Sequence, residues 1–288
     1  MRKSLLKSIA RIRAPFVTRF RAPRIHFLHI SKNAGTILRA TMRNANEQQD
    51  RYRFVLHSHK FRLEDVPEGE FCAFSIRDPI ARFYSGFYSR KRQGLPRRLN
   101  RWSPEEEKAF AAFDHACELA EALSNRDDTV RMRAVWAMMS IFHVNNTHLD
   151  WIGKTWEPGQ SKVIAILRQD SLRSDFLEMM QVLGEDSLGF PDEDRIVNKG
   201  SYEDCPPLTS LAKRNLEAWY HRDFVFLETV ESKWIQDARV RLNKLVAQTM
   251  PTESGRGSAC QQWQRSAISG PPVHSSALHQ SGRHEPGG

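Results

Sequence analysis

The sequence predicts an α/β fold in three layers, with a mainly parallel central sheet between helices and a P-loop-like turn after its first strand. Three observations carry this expectation. Short apolar runs at residues 25–30, 54–56, 71–76 and 162–167 alternate with stretches of helical period, the pattern of strand–helix–strand crossovers. The last run is apolar from Val163 to Leu167, as a strand buried on both faces should be. The first and third runs each end in a polar turn that leads into a helix.

In order along the chain, the first strand precedes Ser31-Lys32-Asn33-Ala34-Gly35-Thr36, after which Ile37, Leu38 and Met42 recur at roughly helical spacing. A polar stretch at 44–53 leads to the second strand, which ends in His57-Ser58-His59. Pro67 marks a turn before the third strand, which enters Arg77-Asp78-Pro79. A proline there suits the first turn of a helix whose face carries Ile80, Phe83, Tyr84 and Phe87. The segment 90–101 holds Arg90, Lys91, Arg92, Arg97, Arg98 and Arg101 around Gly94 and Pro96, and reads as a basic loop. Ser103, Pro104 and Glu106 form a capping signal for a helix reaching about residue 123. A second helix is expected over 129–144, then a mobile loop containing Trp151 and Trp156. The fourth strand is followed by helices over 171–183, 209–220 and 231–248.

At 288 residues the chain accommodates one large domain with tails. Residues 1–24 form a basic arm: they hold eight of the 43 Lys and Arg residues and no acid, so the net charge of +9 belongs mostly to this arm. The body at 25–250 is nearly neutral, which argues against broad nucleic-acid binding. The arm reads as a solvated segment or, with Leu5, Leu6, Ile9, Ile12, Phe16 and Phe20 between its cations, as one that touches a membrane surface. Residues 251–288 turn to Ser, Gly, Pro, His and Gln, too few apolar groups to offset the entropy of ordering, and read as a disordered tail. Cys72, Cys117, Cys205 and Cys260 lie far apart without a CxxC pair and are expected as reduced thiols. No run approaches the roughly 18 to 20 apolar residues that cross a bilayer, and charge interrupts the first 24 residues too often for a secretory signal. The expected location is cytoplasmic, with or without contact at a membrane surface.

A glycine-containing turn at a helix N-terminus offers amides and a positive dipole end to a phosphate-like anion. Here Lys32 precedes Gly35, the reverse of the order in a Walker A loop. About forty residues later comes the second polar turn, Arg77-Asp78-Pro79-Ile80-Ala81-Arg82-Phe83-Tyr84-Ser85. Together the two stretches resemble the sulfotransferases that use 3′-phosphoadenosine 5′-phosphosulfate (PAPS), most of all the carbohydrate branch that includes heparan sulfate 2-O-sulfotransferases. The resemblance spans about residues 25–230 and is sharp over 25–88. It implies that Lys32 and the amides of Asn33, Ala34, Gly35 and Thr36 hold the 5′-phosphosulfate, and that Arg77 and Ser85 grip the 3′-phosphate. It further implies His59 as general base, with His57 as runner-up or orienting partner, since residues i and i+2 at a strand end face the same side. No metal enters this scheme. The expected acceptor is a hydroxyl on a glycan, and an anionic glycan would suit the arginine loop.

The chain departs from the family pattern at Ile37, where a hydroxyl residue is common, at Ser31 for proline, at Asn33 for threonine and at Gln169 for glutamate. The rival readings are a P-loop kinase or NTPase, which needs Mg²⁺ ligands and finds only Asp78 nearby, a non-catalytic nucleotide binder, and a basic-arm protein docking on membrane or nucleic acid.

Overall fold

The structure, a computed structural model, describes residues 22–153, 162–185, 188–191, 202 and 204–249. The basic arm before Ala22, the tail with Cys260, Trp156 and residues 198–201 lie outside the described residues. All four apolar runs are strands: β1 (Arg24–Leu28), β2 (Arg53–Leu56), β3 (Phe71–Ile76) and β4 (Val163–Arg168). They form one sheet in the order β2-β1-β3-β4, every pair parallel. Parallel neighbours require crossovers, and helix α1 (Gly35–Gln48) supplies the first. After β1 the chain moves to one edge of the sheet, and after β3 to the other. The carboxyl ends of β1 and β3 therefore flank a switch point, where an open parallel sheet leaves a crevice for a ligand.

Side chains alternate between the faces with period two. Ile25, Phe27 and Ala73 join Leu38 and Met42 of α1, Phe176 and Met180 of α7 (Leu172–Val182), and Leu242 of α10 (Ile235–Thr249). Leu28, Cys72, Phe74 and Ile76 face α6 (Leu149–Ile152) and α9 (His221–Thr229) through Trp151 and Phe226, with Val230 just after α9. Helices on both faces of an all-parallel sheet make the α/β layers the sequence predicts.

A third apolar cluster is wholly helical. It gathers Phe83 and Phe87 of α2 (Pro79–Lys91), Phe110 of α3 (Pro104–Ala112), Leu119 of α4 (Ala116–Ala122), Met138 of α5 (Asp128–Ser140) and Leu216 of α8 (Ser210–Trp219). Arg82 ties this cluster to the rest. Its side chain is fully buried, donates to Asp223 at 3.1 Å and lies 5.5 Å from the Tyr220 ring centre, while the Asp223 carboxylate also accepts from the amide of His148 at 2.9 Å.

Four expectations about helices change. The Ser103–Glu106 capping box is present, but the helix it opens stops at Ala112, and Glu118 restarts it by accepting from the amides of Asp114 and His115. The stretch read as a mobile loop contains α6 and buries Trp151. Helix α1 runs on through 44–48 of the polar stretch, with Asn46 bonding both the amide and the carbonyl of Phe54 at 2.8 Å. Helix α9, absent from the sequence reading, continues through a π turn at Val230–Trp234 into α10.

Candidate functional site

The turn between β1 and α1 holds two residues in the left-handed region, Lys32 at φ 65° and Ala34 at φ 58°. A left-handed residue among right-handed ones aims neighbouring amides at a common point, the nest geometry that receives anions. Helix α1 begins here without a side-chain cap and without an acid in its first turn. By contrast, Asp78, Ser103, Asp127 and Thr209 cap α2, α3, α5 and α8. The start of α1 thus keeps both its amides and its positive dipole end for a ligand.

The two stretches that the sequence singles out are stitched together. Asn33 Nδ2 donates to the carbonyl of Ser75 at 2.8 Å, the Ser75 hydroxyl donates to the carbonyl of Asn33 at 2.5 Å, and Arg77 Nη1 donates to the carbonyl of Lys32 at 3.1 Å. Asn33 therefore gives its side chain to β3, and only its amide remains for the cradle. Among the described residues Arg77 Nε and the Ser31 hydroxyl are buried without a partner. Burial, and after it the guanidiniums of Arg77 and Arg92, push Lys32 down to about 8. Arg97 donates to the Thr36 hydroxyl at 3.0 Å.

Lys32, Ala34, Gly35, Thr36 and Arg77 thus converge on one turn. Ser85 joins them through Tyr202, whose hydroxyl donates to Ser85 Oγ at 3.4 Å and whose ring lies 5.8 Å from the Arg92 guanidinium. The basic loop divides its charges. Arg90 is buried against Glu106, donating to it at 2.6 Å, and Lys91 pairs with Asp114, so these two serve the fold, while Arg92 and Arg97 face the cradle. Asp78 is used as the α2 cap, accepting from Ala81 N at 2.7 Å. Arg82 belongs to the buried network and not to the cradle.

The two histidines of the His-x-His motif part company. Strand β2 ends at Leu56, so 57–59 lie beyond it and the same-side rule of a strand no longer applies. His59 turns to β1: its Nδ1 bonds the carbonyl of His29 at 2.7 Å, and the two rings lie 3.9 Å apart. A carbonyl only accepts, so Nδ1 carries the hydrogen and Nε2 keeps its lone pair, the tautomer of a base. Burial lowers the pKa of His59, with Arg39 and Lys32 adding to the effect and the bond to His29 opposing it. At neutral pH it is therefore uncharged. The indole of Trp151 donates to the carbonyl of His59 at 2.8 Å and fixes that end of the loop.

His57 turns the other way. Its Nε2 lies 2.8 Å from Nδ1 of His26, its ring stacks on Phe61 at 3.4 Å, and His26 Nε2 bonds Glu70, which in turn pairs with Arg24 at 3.3 Å. Burial, then His26, Arg24 and Arg39, push His57 down to about 4, against a small opposing pull from Asp65.

Sequence reasoning missed His29, His143, Trp151 and Tyr202. His29 packs on the turn so closely that a Cβ on Gly35 would lie 2.1 Å from its Cδ2. Burial and the nearby His59, Arg39 and Arg97 push it to about 3. His143 stands 6.2 Å from the His59 ring, with a buried Nδ1 that has no partner, and a Cβ on Gly86 would lie 3.1 Å from its carbonyl. No family model, curated protein or solved structure matches the chain.

Proposed function

We propose that this chain is a PAPS-dependent sulfotransferase acting on an acceptor hydroxyl of a carbohydrate. The observation that carries the reading is a cradle of positive charge with an imidazole beside it: Lys32, Arg77, Arg92 and Arg97 surround an uncapped helix start, and Nε2 of the neighbouring His59 has no hydrogen-bond partner among the described residues. Clustered cations that have no ion pair among the described residues favour an anion, and the Nε of Arg77, buried without a partner among those residues, offers it a donor. The residues present fit the two anionic ends of the nucleotide. Lys32 and the amides of 33–36 would hold the phosphosulfate, and Arg77 with Ser85 the 3′-phosphate.

When bound, PAPS supplies the sulfuryl group and is released as 3′,5′-ADP. Nε2 of His59 takes the proton of the acceptor hydroxyl as its oxygen attacks, a task suited to an imidazole that is neutral at pH 7. Lys32 and the turn amides stabilise the charge that develops on the departing phosphate, and Arg77 fixes the nucleotide, so positioning and electrostatics do most of the catalysis.

Thermal stabilisation by 3′,5′-ADP without Mg²⁺, set against ATP with Mg²⁺, tests the reading. A preference for 3′,5′-ADP is expected, and a preference for ATP with Mg²⁺ would replace it with a P-loop kinase or NTPase. An acceptor screen with labelled PAPS then identifies the hydroxyl.

A further inference from the structure

At the outer edge of β2 an open-sided hollow of about 500 Å³ is lined by Arg24, Arg43, Asn46, Arg53 and the strand residues Phe54 to Leu56. None of these residues belongs to the cradle. Arg24 and Arg53 are paired neighbours across β1 and β2, an arrangement of like charges that disfavours the sheet. Arg43 stands one helical turn from Arg39, and the two repel, helping to lower Arg39. Among the described residues the one carboxylate in an ion pair with these guanidiniums is Glu70, which binds Arg24 and is shared with His26. Arg43 and Arg53 have no ion pair among the described residues, and the 21 residues preceding Ala22 contain no acid to supply one.

Strand addition does not explain the hollow. The outward amide and carbonyl of Phe54, which an incoming strand would need, are both taken by the Asn46 side chain. What remains is a concave wall of half-buried Val55 and Leu56 beneath guanidiniums able to form forked bonds to a tetrahedral oxyanion.

We propose that this hollow is a second anion site, separate from the cradle, that takes the oxyanion of a phosphate or sulfate ester through Arg43 and Arg53, with Arg24 as a third contact. The proposal stands whether or not the chain transfers sulfate, because it uses no cradle residue.

The test measures binding of inorganic pyrophosphate to the full chain by calorimetry, and in parallel co-sedimentation with phosphatidylcholine vesicles with and without phosphatidylserine. Arg43→Ala and Arg53→Ala should each weaken one of the two by roughly tenfold, the loss expected for a charged hydrogen-bonding partner, and leave 3′,5′-ADP binding unchanged. Loss in the pyrophosphate arm identifies a free ester as the source, and loss in the vesicle arm a lipid headgroup. Lys32→Ala serves as the converse variant. If pyrophosphate binding falls with Lys32→Ala and survives both arginine changes, and the vesicle arm is unmoved, the anion goes to the cradle and the second site is refuted. Absence of binding in both arms refutes it equally.

Discussion

His26 and His57 on one side of the 57–59 loop are wired to a carboxylate, whereas His29 and His59 on the other side face lysine and arginine. The first group closes its charges on itself: Arg24 meets Glu70, Glu70 meets His26, and His26 meets His57. The second has no acid among the described residues, and its neighbours Lys32, Arg39 and Arg97 disfavour a proton on the rings. An imidazole bound to a carboxylate-linked partner is held in place; one kept neutral beside unbalanced cations is available to accept a proton while an anion fills the cradle. On the proposed reading, one loop of three residues serves both as anchor, at His57, and as base, at His59.

The largest effect that would break this contrast is the loss of the base. His59→Ala should lower transfer from PAPS by on the order of a hundredfold or more, with 3′,5′-ADP affinity nearly intact. Retained activity would move the role to His57 or His143. Next, Arg77→Ala should weaken 3′,5′-ADP binding by about tenfold to a hundredfold, as the loss of a charged hydrogen-bonding group does, visible as a smaller thermal shift. On the anchoring side, Glu70→Gln should reduce turnover only about threefold to tenfold, the scale of one hydrogen bond that positions a loop, without changing nucleotide affinity. An effect as large as that of His59→Ala would mean that the two sides are one catalytic unit. The mildest test is pH. His29 and His57 titrate near 6.5 when unfolded and at about 3 and about 4 when folded. Between those values the unfolded chain binds more protons, so stability should rise with pH from about 4 to 6.5 and be lost on acidification. A thermal midpoint that stays flat over this window would contradict the burial of these rings.

The strands were legible because parallel sheets demand apolar runs, and residues 162–167 leave little else to become. The pairing of the lysine turn with Arg77-Asp78-Pro79 was legible as well, since both stretches are local and each sits at a strand end. The roles of individual polar residues were not. Asn33 reads as a ligand-facing turn residue, yet its amide side chain reaches the backbone of β3. Arg82 lies within the second motif, and nothing local shows that it is buried against Asp223, far along the chain. His143 and Tyr202 reach the site only because α2 and the segments packed on it bring them there. No local period marks such residues. The break of the helix at 113–115 escaped notice for a related reason: its apolar face runs on in phase from Phe110 and Phe113 to Cys117.

The Arg82–Asp223 pair joins residues 141 positions apart and has a consequence for synthesis. Helix α2 carries Ser85, and its buried guanidinium finds its carboxylate only in α9. A nascent chain that has not yet extended past residue 223 holds every cradle residue from Lys32 to Ser85 and still has a positive charge with no partner in its interior. The buried network that seats α2 is therefore completed only in the last quarter of translation.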